Sequence, residues 1–232
     1  MKLARTSWRR LGRVVAVMML GVVPLMLSSC SGSGGGGAAS PITQVGGPAQ
    51  TNPRYPGAFI FPRPYPMPDV TLTDTSGGPY DIGSHTAATV TLLYFGYTHC
   101  PDLCPLNMAT TASAIEGLPR PDRDRVRVVF VTTDPNRDTP TVIRTWLDHF
   151  DTRFVGLTGS IEAIRQAEQA AGVPFAVAGQ TSGPGSSYQV VHAGFVLVYT
   201  QDGKVHAEFP AEIRAGQEAQ DLIALLAQGW KS

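Results

Sequence analysis

The sequence has no excess of charge of either sign: 18 lysines and arginines face 18 aspartates and glutamates over 232 residues. The balance is uneven along the chain, because residues 1–29 hold Lys2, Arg5, Arg9, Arg10 and Arg13 and no carboxylate. Setting aside that +5 segment leaves −5 on the rest. A mildly acidic domain offers no electrostatic footprint for nucleic acid, so none is expected as a partner. A long hydrophobic run is also missing. The uncharged apolar stretch at residues 14–27 has 14 residues, short of the ~20 that a membrane-spanning helix needs. There is no internal repeat. Cysteine is scarce, with three in the chain, so any thiol chemistry rests on few positions.

What is there begins with an address. A basic stretch, a short apolar core and Leu27-Ser28-Ser29-Cys30 read as an export signal over residues 1–29. The last four residues resemble the bacterial lipobox, in which the cysteine is acylated. Lipid on Cys30 would hold the protein at the outer face of the cytoplasmic membrane, each buried methylene contributing ~0.8 kcal/mol. The plainer alternative is a secretory signal with an incidental cysteine. Residues 31–50 are rich in Gly, Ser and Ala and include Gly34 to Gly37, a composition that stays a flexible coil. Six prolines between 53 and 68 predict a stiffer extended segment, lying against the domain or standing off from it. Residues 30–67 are thus expected to be a tether, and 68–232 one domain of about 165 residues, large enough to bury a core.

Within the domain the pattern alternates. Val70-Thr71-Leu72-Thr73 and Tyr80-Asp81-Ile82, either side of Ser76-Gly77-Gly78-Pro79, predict a short hairpin. The runs TVTLLYF (89–95) and VRVVFVT (126–132) are apolar and β-branched, as in strands buried on both faces. Residues 103–117 read as helix. Asp138 or Thr139 caps a helix that Pro140 opens and that runs to about residue 150, and Ser160 caps another to 171. Brief strands are expected at 154–157 and 173–177. A Gly/Ser/Pro loop at 179–187 leads into one strand over 190–199, a turn at 201–203, a strand over 205–209 and an amphipathic helix over 217–230. This order predicts an α/β domain, a central mixed sheet flanked by helices, with an extra N-terminal β-hairpin.

The two remaining cysteines sit in Phe95-Gly96-Tyr97-Thr98-His99-Cys100-Pro101-Asp102-Leu103-Cys104-Pro105, where a buried strand gives way to a helix. Thiols at a helix N-terminus meet unpaired N–H groups and the positive end of the macrodipole, which favour thiolate. Cysteines four apart lie on one helical face, so both sulfurs can address one ion or bond to each other. Three readings stand side by side. A structural disulfide suits an oxidising compartment, though so small a loop gains little chain entropy. A redox dithiol is the second, but C-x-x-C is one residue shorter than this spacing. Metal binding is the third: zinc wants four ligands, whereas soft Cu(I) favours two thiolates, or two thiolates and a histidine.

The candidate third ligand is His192, in Tyr188-Gln189-Val190-Val191-His192-Ala193-Gly194. In a thioredoxin-like topology the start of that strand faces the loop bearing Cys100 and Cys104. Taken alone, a histidine there reads as a solvated or hydrogen-bonded side chain; taken with the cysteines, it reads as a ligand. His99 adjoins Cys100 and is expected to point away, while His85, His149 and His206 read as structural or solvated. Asp134, in Thr132-Thr133-Asp134-Pro135, is a candidate for orienting a ligand from outside the ligand set. Capping the turn before Pro135 is its simpler role.

These residues resemble the Sco/SenC copper-binding proteins that serve cytochrome c oxidase assembly. The resemblance rests on the 95–105 segment, on Thr133-Asp134-Pro135-Asn136-Arg137-Asp138-Thr139-Pro140, and on Tyr188 to His192, and it spans residues 68–230. It implies a thioredoxin-like fold and one copper ion held by Cys100, Cys104 and His192. It also implies a role in metallating the copper centre of oxidase subunit II, or in reducing that subunit's cysteines. Members commonly carry Asp before the histidine, where this chain has Val191. A monomer that delivers copper to subunit II or another exported cuproprotein is the first functional expectation. A membrane-tethered thiol–disulfide oxidoreductase using the redox pair Cys100 and Cys104 is the second.

Overall fold

The computed structural model describes residues 50–84, 90–179 and 188–231. The expected export signal, Cys30 and the Gly/Ser part of the tether lie outside the described residues, as does His85.

The two apolar runs become the parallel centre of the sheet. β5 (Val90–Gly96) is buried at every residue and pairs in register with β6 (Val126–Thr132), which pairs with β7 (Val155–Thr158). Burial on both faces is why neither run alternates with polar residues. β3 (Thr71–Asp74) and β4 (Pro79–Asp81) form the expected hairpin, and β3 adds to β7 antiparallel. On the other side of β5 lie β10 (Val196–Tyr199) and β11 (Lys204–Phe209), also antiparallel.

Side chains alternate across this sheet and so build two cores. On one face Leu92, Tyr94, Val128 and Phe130 pack against α1 (Leu103–Glu116), α3 (Pro140–Leu147) and α5 (Ala215–Gln228). On the other, Leu93, Phe95, Val129 and Val131 meet α4 (Ile161–Ala170) through Ile164 and Ala167. The cap of α3 is Thr139, whose hydroxyl accepts from Val142, and Ser160 caps α4 through Ala163. A single turn of helix, α2 (Arg120–Arg123), precedes β6 and was not expected.

Two expectations are corrected. The proline-rich part of the tether is strand: β2 (Tyr55–Pro66) pairs with β11 and with the short β1 (Gln50–Asn52), completing the sheet order β1-β2-β11-β10-β5-β6-β7-β3-β4. Pro62 and Pro64 fall where the β2–β11 register shifts, so their missing N–H groups cost no ladder bond. Tyr55 is fully buried, stacks on Trp230 at 4.8 Å and donates to the Gly229 carbonyl. The folded unit therefore begins well before residue 68. The second correction concerns 190–199, where one strand was expected. β9 (Val190–Val191) pairs with β8 (Val177–Ala178) in a separate ribbon, and the chain leaves the ladder at 192–195 before β10.

Candidate metal centre

Cys104 lies at the start of α1 and is fully buried, whereas Cys100, in the turn before it, is half-buried; both are free thiols. β5 delivers them. Gly96 ends that strand, and a Cβ there would sit 2.9 Å from the Cys104 sulfur and 2.6 Å from the Tyr94 ring, so only glycine lets the strand pass so close. The sulfurs serve the local backbone. Cys100 Sγ accepts the N–H of Cys104 at 3.4 Å, taking up a donor that a helix N-terminus leaves unpaired. Cys104 Sγ accepts the N–H of Tyr97 at 3.4 Å and the Tyr94 hydroxyl at 3.5 Å.

The break in the ladder at 192–195 brings His192 to the same place. Its Nε2 lies 3.4 Å from Cys104 Sγ, and its Nδ1 lies 2.8 Å from the Ala193 carbonyl. With Nδ1–H donating to that carbonyl, the lone pair is on Nε2 and faces the sulfurs, the arrangement that metal-ligating histidines use. The ring edges meet Tyr97 at 5.5 Å and Tyr94 at 5.9 Å. Asn107 of α1 fixes the segment from behind, donating to the Gly194 carbonyl at 3.0 Å.

The donor atoms of Cys100, Cys104 and His192 all lie within 4.8 Å of one another, and they are the cluster of this kind among the described residues. Two sulfurs and an imidazole are a soft donor set, too few for structural zinc and suited to a cuprous ion. The thiols are electrostatically unequal. The hydrogen bond from Cys104, helped by the N–H groups of Cys104 and Asp102, pulls Cys100 down to about 4 against the effect of burial. Burial pushes Cys104 up, and its hydrogen bond to Cys100 pushes the same way. The pair therefore combines a half-buried thiol held low, Cys100, with a buried thiol that donates to it, Cys104.

Asp134 touches none of the three. Its carboxylate accepts from the Tyr188 hydroxyl at 2.7 Å and from Arg137 Nε, and its carbonyl closes the turn to Arg137 and Asp138. The turn is closed by the backbone and not by the side chain, which instead reaches Tyr188, four residues before His192. Of the two cap candidates Thr139 is the cap, and Asp138 is a fully buried anchor for the cysteine loop. It accepts from Thr98 N–H at 2.9 Å, the Thr98 hydroxyl at 2.6 Å and the Thr132 hydroxyl at 2.6 Å. Its position inside the Asp134–Pro140 segment was the available signal. His99 is half-exposed, 3.4 Å from Asp138 and outside the donor cluster; His149 is exposed, and His206 stacks on Trp230.

The family described as SCO1/SenC matches residues 66–227. A putative copper-binding protein of Stutzerimonas stutzeri is 31% identical over 156 residues, 67% of this chain and 74% of that protein. The SenC protein of Rhodobacter capsulatus is 40% identical over 103 residues, covering 40% and 46% of the two chains. Among solved structures, copper-bound ScoI of Bradyrhizobium japonicum superposes with a TM-score of 0.61 at 28% identity, covering 68% of this chain and 98% of that one. Metal-free Sco1 of Thermus thermophilus gives 0.63 at 34% identity, covering 78% and 98%. Sequence match, thioredoxin-like architecture and a Cys–Cys–His cluster coincide, and the chain belongs to the SCO1/SenC family.

Proposed function

We propose that this domain takes up one copper ion through Cys100, Cys104 and His192 and hands it to the copper centre of cytochrome c oxidase subunit II or to another exported cuproprotein. The observation that carries the reading is the convergence of two sulfurs and a correctly oriented imidazole nitrogen within 4.8 Å. The copper-bound relative supports copper as the cargo. A soft, low-coordinate site releases Cu(I) readily to other thiolates, which suits delivery better than storage. The surface supports a protein recipient. Of the large hydrophobic side chains exposed among the described residues, Leu103 and Leu106 flank Cys104, while Val177 and Val191 pair beside His192. Lipidation at Cys30 would keep this monomeric domain at the outer face of the cytoplasmic membrane, where such recipients are assembled.

A second reading, thiol–disulfide exchange on exported cysteine pairs, draws on the lowered Cys100 thiol with Cys104 poised beside it. One experiment separates the two. Protein loaded with Cu(I) is mixed with the metal-free copper-binding domain of subunit II, the two are separated, and copper is measured in each. Copper in the recipient, absent when Cys100→Ser or Cys104→Ser protein is the donor, is expected. A recipient that stays metal-free, together with dithiol turnover that needs both cysteines and not His192, would favour exchange.

A further inference from the structure

We propose that Arg137 and Tyr188 are positioning residues: with Asp134 they form a clamp that sets the place of His192 before any metal arrives. His192 sits on a segment with little support of its own, after a two-residue strand and at a break in the main ladder. The clamp supplies what the ladder does not. Arg137 Nη1 donates to the Tyr188 carbonyl at 3.1 Å, and its guanidinium lies 3.7 Å from the centre of the Tyr188 ring. The Tyr188 hydroxyl and Arg137 Nε converge on the two oxygens of Asp134, which is 3% exposed. Polar oxygens so buried need such hydrogen-bond partners, so the three side chains hold or fail together.

The same guanidinium lies 5.7 Å from the Tyr97 ring. Tyr97 donates its N–H to Cys104 Sγ and sets its ring against His192. Arg137 thus stands between the segment that carries the sulfurs and the one that carries the imidazole. Arg rather than Lys is required, because one planar fork meets a carboxylate and a carbonyl while its face covers an aromatic ring.

The inference rests on the copper reading for its purpose, but its test does not. In the metal-free protein the Tyr94 and Tyr97 rings should shift the His192 ring protons away from those of exposed His149 in an NMR spectrum. Tyr188→Phe, which keeps the ring and removes the bond to Asp134, and Arg137→Lys should each move the His192 signals toward the exposed-histidine position. Both should leave His149 and the overall dispersion unchanged. When the variants are loaded with Cu(II), the nitrogen hyperfine splitting should weaken and the affinity fall by about tenfold or more, with both sulfurs still bound. Unmoved His192 signals in both variants would overturn the proposal, and so would an unaltered nitrogen signal. If the wild type bound no copper, the copper reading would fall and the metal-free spectra alone would decide the clamp.

Discussion

The metal centre and the corner where β2 meets α5 treat buried carboxylates in opposite ways. At the centre, both oxygens of Asp138 and both of Asp134 receive hydrogen bonds. At the corner, Glu218 and Asp221 on α5 are equally buried, yet Glu218 Oε1 and Asp221 Oδ1 have no partner. Asp221 Oδ2 accepts the Gly57 N–H at 3.0 Å, which ties the incoming strand to the helix. Burial pushes Glu218 up to about 8 and Asp221 up to about 6. The lesson is one of division of labour. Polar groups at the centre are fixed because they hold the loops that carry ligands, whereas the corner is held by stacked rings and leaves its acids raised by burial.

The largest test of that division lies at the corner. Tyr55→Ala removes a fully buried ring and its stack on Trp230, and should cost roughly 3–5 kcal/mol in denaturant melts. Copper content of the folded fraction should not change; a loss there would join the two regions that the comparison separates. Next is Gly96→Ala. Its Cβ would press on Tyr94, Cys104 and Phe130, so a cost of about 1–3 kcal/mol should come with weakened copper retention.

The corner acids give a pH dependence whose sign follows from their direction. A carboxylate raised on folding contributes stability fully below its unfolded value and loses it as pH climbs through the folded one. Stability should therefore fall between about pH 4 and pH 8 from Glu218, by at most about 1.4 kcal/mol per pH unit for one proton. Glu218→Gln should flatten that slope, and an unchanged slope would show that the carboxyl is not buried as described. The smallest effect is expected at Val191, which is 73% exposed. Val191→Asp, restoring the residue common in the family, should shift stability by less than about 0.5 kcal/mol and leave the copper stoichiometry alone.

The same contrast explains what could be read from the sequence. β5, β6 and the capped helices α3 and α4 were legible because each is encoded locally, by an unbroken apolar run or by a cap and a proline. Cys100, Cys104 and His192 were legible because their chemistry is unusual and their segments match a known family. β2 was hidden by its prolines, which read as tether until the register shift shows where they are tolerated. The break at 192–195 was hidden because residues 190–199 are largely apolar and read as one strand, while Asn107, which holds the broken segment at the Gly194 carbonyl, lies 87 residues away. Asp138 and Thr139 were equal cap candidates, because the partner that claims Asp138, Thr98, lies 40 residues distant. Such contacts join segments far apart in the chain and are properties of the fold.

The most direct measurement is copper stoichiometry. Reduced protein is loaded anaerobically with Cu(I), desalted, and compared with Cys100→Ser, Cys104→Ser and His192→Ala. About one copper ion per wild-type chain, with strongly weakened retention in each variant, is predicted from the three-donor site. Copper content that is the same in all four proteins would contradict it.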